Sequence, residues 1–280
     1  MFGFLNIYKP KGMTSHDVVA VIRRLTKIKQ VGHTGTLDPF AEGVLPVCIG
    51  KATRLIEYLD DDKEYLATVK FGSATTTYDL EGEITYTSNT KITEENLIKE
   101  LENFKGEISQ IPPIYSAIKV KGKKLYEYAR KGESVDIQPR KVTIEKLELK
   151  NFDYESQTAE LLIVCSKGTY IRSIAHDLGK NLCCGGHLIK LVRTSAGKFK
   201  VENSVELEGL NVNENLINPV TVISLPKIEL SSSEYEDILH GRQIKKNTDC
   251  VDLVILIYNN NISAVGISDK KIIKVKKVFS

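Results

Sequence analysis

Asp38 lies in a loop of small residues, within the stretch GHTGTLDPFAEGVLPVCIG at 32–50. His33 and Thr34 precede it, Pro39 follows at once, and an apolar run begins at Val44. Glycines at 32 and 35 let the backbone turn tightly and approach a ligand closely. Pro39 biases Asp38 toward an extended conformation and keeps it out of a helix. The loop therefore offers a carboxylate just ahead of a buried strand, a placement that suits a reactive group. Asp-Pro alone is an ordinary turn former, so it needs company before it means catalysis.

Charge is unevenly distributed about that loop. The 280 residues carry a net charge of +3, which says little about partners. At 119–131, however, KVKGKKLYEYARK sets Lys119, Lys121, Lys123, Lys124, Arg130 and Lys131 against Glu127 alone, with Tyr126 and Tyr128 interleaved. Arg23, Arg24, Lys27 and Lys29 form a second cluster just before the loop. Cations mixed with aromatics suit a polyanion whose bases stack, although a solvated helix face gives the same pattern. The five cysteines form no CxxC pair and no zinc spacing with the histidines. Odd in number and mostly within apolar runs, they read as reduced buried thiols of a cytosolic protein. No apolar run approaches the roughly 20 residues of a membrane span, and Asn6 and Lys9-Pro10 break the apolar N-terminus before it could act as a signal peptide. With 41% hydrophobic and 27% charged residues, the composition is that of a globular protein of one or two domains.

The elements that must position these groups follow from periodicity. A strand at 3–8 leads through Lys9-Pro10-Lys11-Gly12 into a helix at 15–29, capped by Thr14 or Ser15. Strand 44–49 and a short helix at 51–59 follow the Asp38 loop, and 64–72 alternates as a strand. A helix at 93–103 is capped by Thr93. After Pro112-Pro113 come a strand at 114–120 and a basic helix ending at Gly132. Stretches 141–152 and 158–166 read as a β-ribbon, 170–183 as a helix, and 187–194 as a strand. The pattern weakens at 203–226, with prolines at 219 and 226, as in a linker. Beyond it, a helix at 232–240 and strands at 251–258, 262–267 and 271–278 make a small β-barrel-like module.

Five stretches carry a family likeness. The 32–50 string, with LNIYKPKGMTSHDVV at 5–19, KEYLATVKFG at 63–72, CSKGTYIRSIAHDLG at 165–179 and HLIKLVRTSAG at 187–197, resembles the tRNA pseudouridine synthase B (TruB) family. Thr36 stands where other pseudouridine synthase families place Arg, two residues before the Asp. IPPIYSAIKVKGKKLYEYARKG at 111–132 matches the family's RNA-clasping insertion. The resemblance implies an α+β pseudouridine synthase fold, with a central mixed, mainly antiparallel sheet flanked by helices. It divides the chain into a catalytic domain at 1–222, with the insertion at about 111–135, and a short PUA-like RNA-binding module at 223–280. The implied reaction converts uridine 55 of the tRNA T-loop to pseudouridine by base flipping, cleavage of the glycosidic bond and reattachment through C5. It needs no cofactor and no metal.

On that resemblance Asp38 is the catalytic carboxylate, Tyr65 stacks on the target ring, and Tyr170, Arg172 and Leu191 line the uracil slot. Arg172 would hold Asp38 ionised. His33 contacts the RNA where the nucleotide has flipped out, although as a residue it also suits a general base. Lys119, Lys121, Lys123, Lys124, Arg130 and Lys131 meet phosphates. The implied partner is the tRNA T-arm stem-loop, met by a cytoplasmic monomer without membrane or protein partners. Whether Asp38 attacks C1′, attacks C6 or removes the C2′ proton stays open. Taken singly, Tyr65 and Leu191 are ordinary core residues and Arg172 an ordinary surface one. Two rivals share parts of this reading: a guide-RNA-dependent isomerase, which carries fuller C-terminal domains, and a non-catalytic RNA chaperone, which needs no Asp38. A phosphate-binding loop fails, because Gly43 and Gly50 enclose six residues and Ala52 follows Lys51.

Overall fold

The computed structural model describes residues 1–279. Period-two alternation decides its centre. In β4 (Lys63–Phe71; numbering below), Tyr65, Ala67, Val69 and Phe71 are buried while their neighbours are half exposed, the pattern of branched and aromatic residues on a pleated surface. One nine-stranded sheet is built from β1 (Gly3–Lys9), β2 (Val31–His33), β3 (Glu42–Ile49), β4, β5 (Gly106–Gln110), β6 (Arg140–Asp153), β7 (Thr158–Cys165), β8 (Gly186–Ala196) and β9 (Phe199–Lys200). Its main order is β1-β3-β8-β4-β7-β6-β5, with β2 beside β3 and β9 beside β8. Every pairing is antiparallel except β3 with β8, where Val192 opposes Glu42 and Arg193 opposes Gly43. Gly43 has φ of 103° and lies so close to the Arg193 backbone that a side chain would collide with it. The backbone bends at Thr34–Gly35, as expected of the glycine there, although neither Gly32 nor Gly35 needs positive φ to do so.

Helices cover the sheet where their apolar stripes allow. α1 (Ser15–Thr26) starts with a capping box between Thr14 and Asp17 and lays Val18, Val19 and Ile22 against β1 and β3. It stops three residues short of the expected end, because Lys27 turns left-handed at φ 59° and caps it. α2 (Glu94–Leu101) and α4 (Ile171–Asn181) pack Leu97, Leu101, Ile171, Ile174, Ala175 and Leu178 onto the other half of the sheet. α3 (Leu125–Arg130) belongs to the basic insertion.

Two expectations are corrected. Residues 203–226 are not a free linker. Val205 and Ile217 exchange backbone hydrogen bonds of 2.8–3.0 Å with Phe4, Asn6 and Tyr8, and Leu207, Leu210, Val212 and Leu216 pack beneath β1. The segment covers an edge that would otherwise expose unpaired donors and acceptors. The strand expected at 114–120 is absent, since only Lys119–Val120 pairs, with Lys123–Lys124 across a turn at Lys121 and Gly122 that both have positive φ. The C-terminal module is the small β-rich unit expected, a five-stranded sheet with Lys227–Glu229 and Ile244–Lys245 at its two edges. That sheet shares an apolar cluster with the first: Phe4, Phe199 and Val222 meet Ile255, Ile257, Val265 and Phe279. Of the cysteines, Cys48, Cys165 and Cys184 are buried as expected, but Cys183 is exposed and Cys250 only partly covered.

α4 reaches β8 through a glycine contact. A β-carbon on Gly179 would overlap the backbone nitrogen of Gly186, with nothing flexible to yield. Gly179→Ala should therefore cost about 1–3 kcal/mol, the range for overpacking. Urea denaturation will measure it as a lower midpoint at unchanged slope.

Candidate active site

The Asp38 loop runs from β2 into β3 and is held by groups from far along the chain. Asp38-Pro39-Phe40-Ala41 closes a turn in which the Ala41 amide donates to the Asp38 carbonyl at 3.1 Å. The buried Ser15 hydroxyl accepts from the Leu37 amide at 2.9 Å and lies 3.2 Å from its carbonyl. Lys9, fully buried, donates to the carbonyls of Pro10 at 2.9 Å, Met13 at 2.6 Å and Pro39 at 3.4 Å. Burial lowers the Lys9 ammonium to about 8. Arg193, 1% exposed, donates to Val44 at 2.7 Å, Gly35 at 3.1 Å and Thr36 at 3.5 Å. These two cations satisfy carbonyls that the irregular loop cannot pair by itself.

Arg172 opens α4 and points its guanidinium at the loop. Nη2 donates to Asp38 Oδ1 at 3.2 Å, while Nε lies 2.9 Å from Oδ2 without making a hydrogen bond, so the contact is an ion pair carrying one hydrogen bond. Nη1 lies 3.4 Å from Asp79 Oδ2 and donates to the Thr77 carbonyl at 3.1 Å, while Nη2 also reaches the Tyr115 carbonyl at 3.0 Å. Arg172 and Asp79 are buried, at 5% and 3% exposure. The Asp38 side chain stays 34% exposed, its outer side facing the cavity. Burial pushes the Asp38 carboxyl above the usual aspartate range; Arg172 pulls against that shift without cancelling it, and Asp79 adds to it. The expected Arg172–Asp38 pair is present and favours the ionised form as expected, but burial outweighs it.

A cavity of about 280 Å³ opens over this group. Asp38, Tyr65, Tyr170, Arg172 and Leu191 all line it, so five expected residues from four distant segments meet in one place. Tyr65 and Leu191 stand on the adjacent strands β4 and β8 and form its apolar wall. Burial raises the Tyr65 phenol, and the neighbouring Arg193 opposes the rise. Gln110 fixes Tyr170 by accepting from its amide at 2.8 Å and donating to its carbonyl at 3.0 Å. His33 is placed differently. It stands off the cavity with its ring edge-on to His16, centroids 5.5 Å apart, and burial with the nearby His16 and Arg193 lowers it to about 4. The basic insertion rises beside the cavity, joined to it by Ser116 and Ala117. Lys123 lies over the ring of Tyr128, and Lys124 and Arg130 over that of Tyr126, at 5.3–5.7 Å. Lys119, Lys121 and Lys131 are exposed.

Asp79, Lys9, Arg193 and Gln110 escaped the sequence reading. Asp79 sits in TTTYDLEG, which reads as a turn, and only the fold brings it to Arg172. Lys9 and Arg193 lie inside quoted motifs, but nothing in their spacing marks them as buried. No cluster of three or more His, Cys, Asp or Glu suited to a metal occurs among the described residues, and none of their helices is long and apolar enough to cross a membrane.

Comparison with known proteins bears on this geometry. A family model described as TruB family pseudouridylate synthase (N terminal domain) matches residues 23–171, and one described as tRNA pseudouridylate synthase B C-terminal domain matches 172–218. A protein of Caldanaerobacter subterraneus subsp. tengcongensis named tRNA pseudouridine synthase B is 45% identical over 99% of both chains. One of the same name from Clostridium kluyveri is 40% identical over the full length of both. Among solved structures, a chain of an H/ACA RNP bound to a substrate RNA containing 2′-deoxyuridine superposes with a TM-score of 0.71 at 26% identity, covering all of this chain and 85% of that one.

Removing the guanidinium would strand two carboxylates at once. Arg172→Met should cost about 3–5 kcal/mol at neutral pH, the range for breaking one side of a buried pair. The loss should shrink as acid neutralises the stranded groups, and chemical denaturation at neutral and mildly acid pH will show whether it does.

Proposed function

The chain belongs to the TruB family of pseudouridylate synthases, and from that premise we propose that Asp38 is the carboxylate with which it isomerises uridine 55 of the tRNA T-loop. Its activity is the isomerisation of tRNA uridine to pseudouridine that its relatives' shared name describes, on a pseudouridine synthase fold. The observation that carries the assignment to Asp38 is its ion pair with the buried Arg172, with the outer face of the carboxylate left open to a cavity walled by Tyr65 and Leu191.

A uridine inside a folded loop is stacked, so its base must leave the stack before any side chain reaches the sugar–base bond. Extrusion costs a few kcal/mol, and stacking on one aromatic returns about 1–3 kcal/mol. In this reading Tyr65 and Leu191 receive the flipped ring and Tyr170 closes the opposite side. Asp38 acts on the nucleoside through its free face, while Arg172 holds the orientation of the carboxylate and offsets its charge in a desolvated site. Tyr65, the phenol nearest the ring, is placed to assist loss of the C5 proton. His33, outside the cavity, contacts the RNA where the nucleotide has flipped out. Lys119, Lys121, Lys123, Lys124, Arg130 and Lys131 bind phosphates of the T-arm. The proposal includes the division into a catalytic part at 1–222 and an RNA-binding part at 223–280. It also holds that a cytoplasmic monomer acts on tRNA without protein partners.

Tritium release from T-arm RNA labelled at uridine C5 tests the assignment. Asp38→Asn should lose turnover by several orders of magnitude and keep RNA affinity, and turnover at the wild-type rate would refute it. The working form is the carboxylate, and its pKa is raised, so activity is present above that pKa and lost as pH falls through it. The acid limb of the single-turnover rate should therefore lie above the ordinary aspartate range.

The insertion has a separate measure. If about five phosphates are neutralised, affinity should fall with salt at a log–log slope of roughly −3.5 to −4.5. A slope near zero in a binding titration removes phosphate contact from its role.

A further inference from the structure

Tyr78 and His176 stack with ring centroids 3.8 Å apart and planes 13° from parallel. Neither lines the catalytic cavity, yet each adjoins the network beneath it. His176 lies four residues after Arg172, one turn further along the same side of α4. Tyr78 stands between Thr77, whose carbonyl accepts from Arg172, and Asp79, whose carboxylate pairs with it. The Tyr78 backbone is left-handed, with φ of 63°, a conformation that penalises any residue with a β-carbon. Such a residue persists only where its surroundings over-determine it, and it is a pointer to function. The loop is also tied to the sheet, since the Leu188 amide donates to the Tyr78 carbonyl at 3.0 Å. His176 Nδ1 is buried without a hydrogen-bond partner, so no bond from that nitrogen sets the ring, and its faces do.

We propose that the Tyr78–His176 stack is a positioning device for the reaction. It clamps the 76–79 loop to α4 in the register at which Thr77 and Asp79 meet Arg172, and through Arg172 it aims Asp38. The inference rests on the reading of Asp38 as the working carboxylate. Without the stack, the strained loop has a free choice of backbone conformations, Asp79 drifts from Nη1, and Arg172 loses one of its two anionic anchors. Sub-ångström freedom at such a group is enough to slow catalysis without touching substrate affinity.

The test uses Tyr78→Gly, which removes the ring and relieves the backbone, Tyr78→Phe, which keeps the ring, and His176→Ala. Tyr78→Gly and His176→Ala should each lower single-turnover tritium release about 10- to 100-fold, the scale of a misplacement near 1 Å. T-arm affinity should stay within about twofold. Tyr78→Phe should stay near the wild-type rate, and the Gly/Ala double variant should fall little further than either single one, as partners in one contact do. If Tyr78→Gly does not fold, His176→Ala beside Tyr78→Phe decides the matter alone. Wild-type rates in the Gly and Ala variants, a Phe variant as slow as Gly, additive losses, or a loss confined to affinity would each overturn the proposal. Asp38→Asn runs alongside. Should it turn over normally, the reading of Asp38 fails whatever the stack does; should it be dead while Tyr78→Gly is fast, only the stack proposal falls.

Discussion

A buried guanidinium between two carboxylates is the constraint on which the site depends. Arg172 is almost sealed from water, and a charge so placed is tolerable only with good partners and satisfied donors. Asp38 and Asp79 provide the charge, and the carbonyls of Thr77 and Tyr115 take two further donors, with Nε left to the ion pair alone. The arrangement is asymmetric in exposure. Asp79 is enclosed, pairing with Arg172 through one oxygen and accepting from the Thr77 hydroxyl and the Glu81 amide through the other, whereas Asp38 is held on one side and open on the other. One ion pair is thus spent on structure so that the second can present a fixed, partly desolvated oxygen.

The same logic runs through the loop that carries Asp38. Irregular backbone close to a cavity leaves carbonyls that no strand or helix pairs. Lys9 and Arg193 answer them from below, and each is buried without a carboxylate in hydrogen-bonding reach. Side chains that usually face solvent act here as rivets, and the parallel β3–β8 joint, with Gly43 pressed on Arg193, is where they are set.

Much of this was legible in the residues. Asp38, Tyr65, Tyr170, Arg172 and Leu191 sit in short contiguous motifs, and the fold brings them to one cavity. The strands at 64–72 and 158–166 and helix 170–183 announced themselves through clear periodicity and lie within a residue or two of their expected bounds. What failed had no local signal. Asp79 becomes a partner only through a contact 93 positions away in the chain, at Arg172. The 203–226 segment looks like a linker because its few apolar residues are widely spaced, and their burial is visible only once β1 offers an uncovered edge. The tight hairpin at 119–124 turns on Lys121 and Gly122, and a run of lysines masks it. Nothing local in TTTYDLEG marks the Tyr78 ring, whose stacking partner His176 lies far along the chain.

The rivets have a temporal consequence. The Asp38 loop emerges early in synthesis, but Arg172 and Arg193 lie well over a hundred residues later. Until they arrive, the carboxylate lacks its guanidinium and the Gly35, Thr36 and Val44 carbonyls lack theirs. A nascent or truncated chain therefore carries Asp38 as an ordinary flexible acid rather than an oriented one. The held geometry of Asp38 forms only once Arg172 and the last central strand are in place, so completion of the sheet is also completion of the cavity.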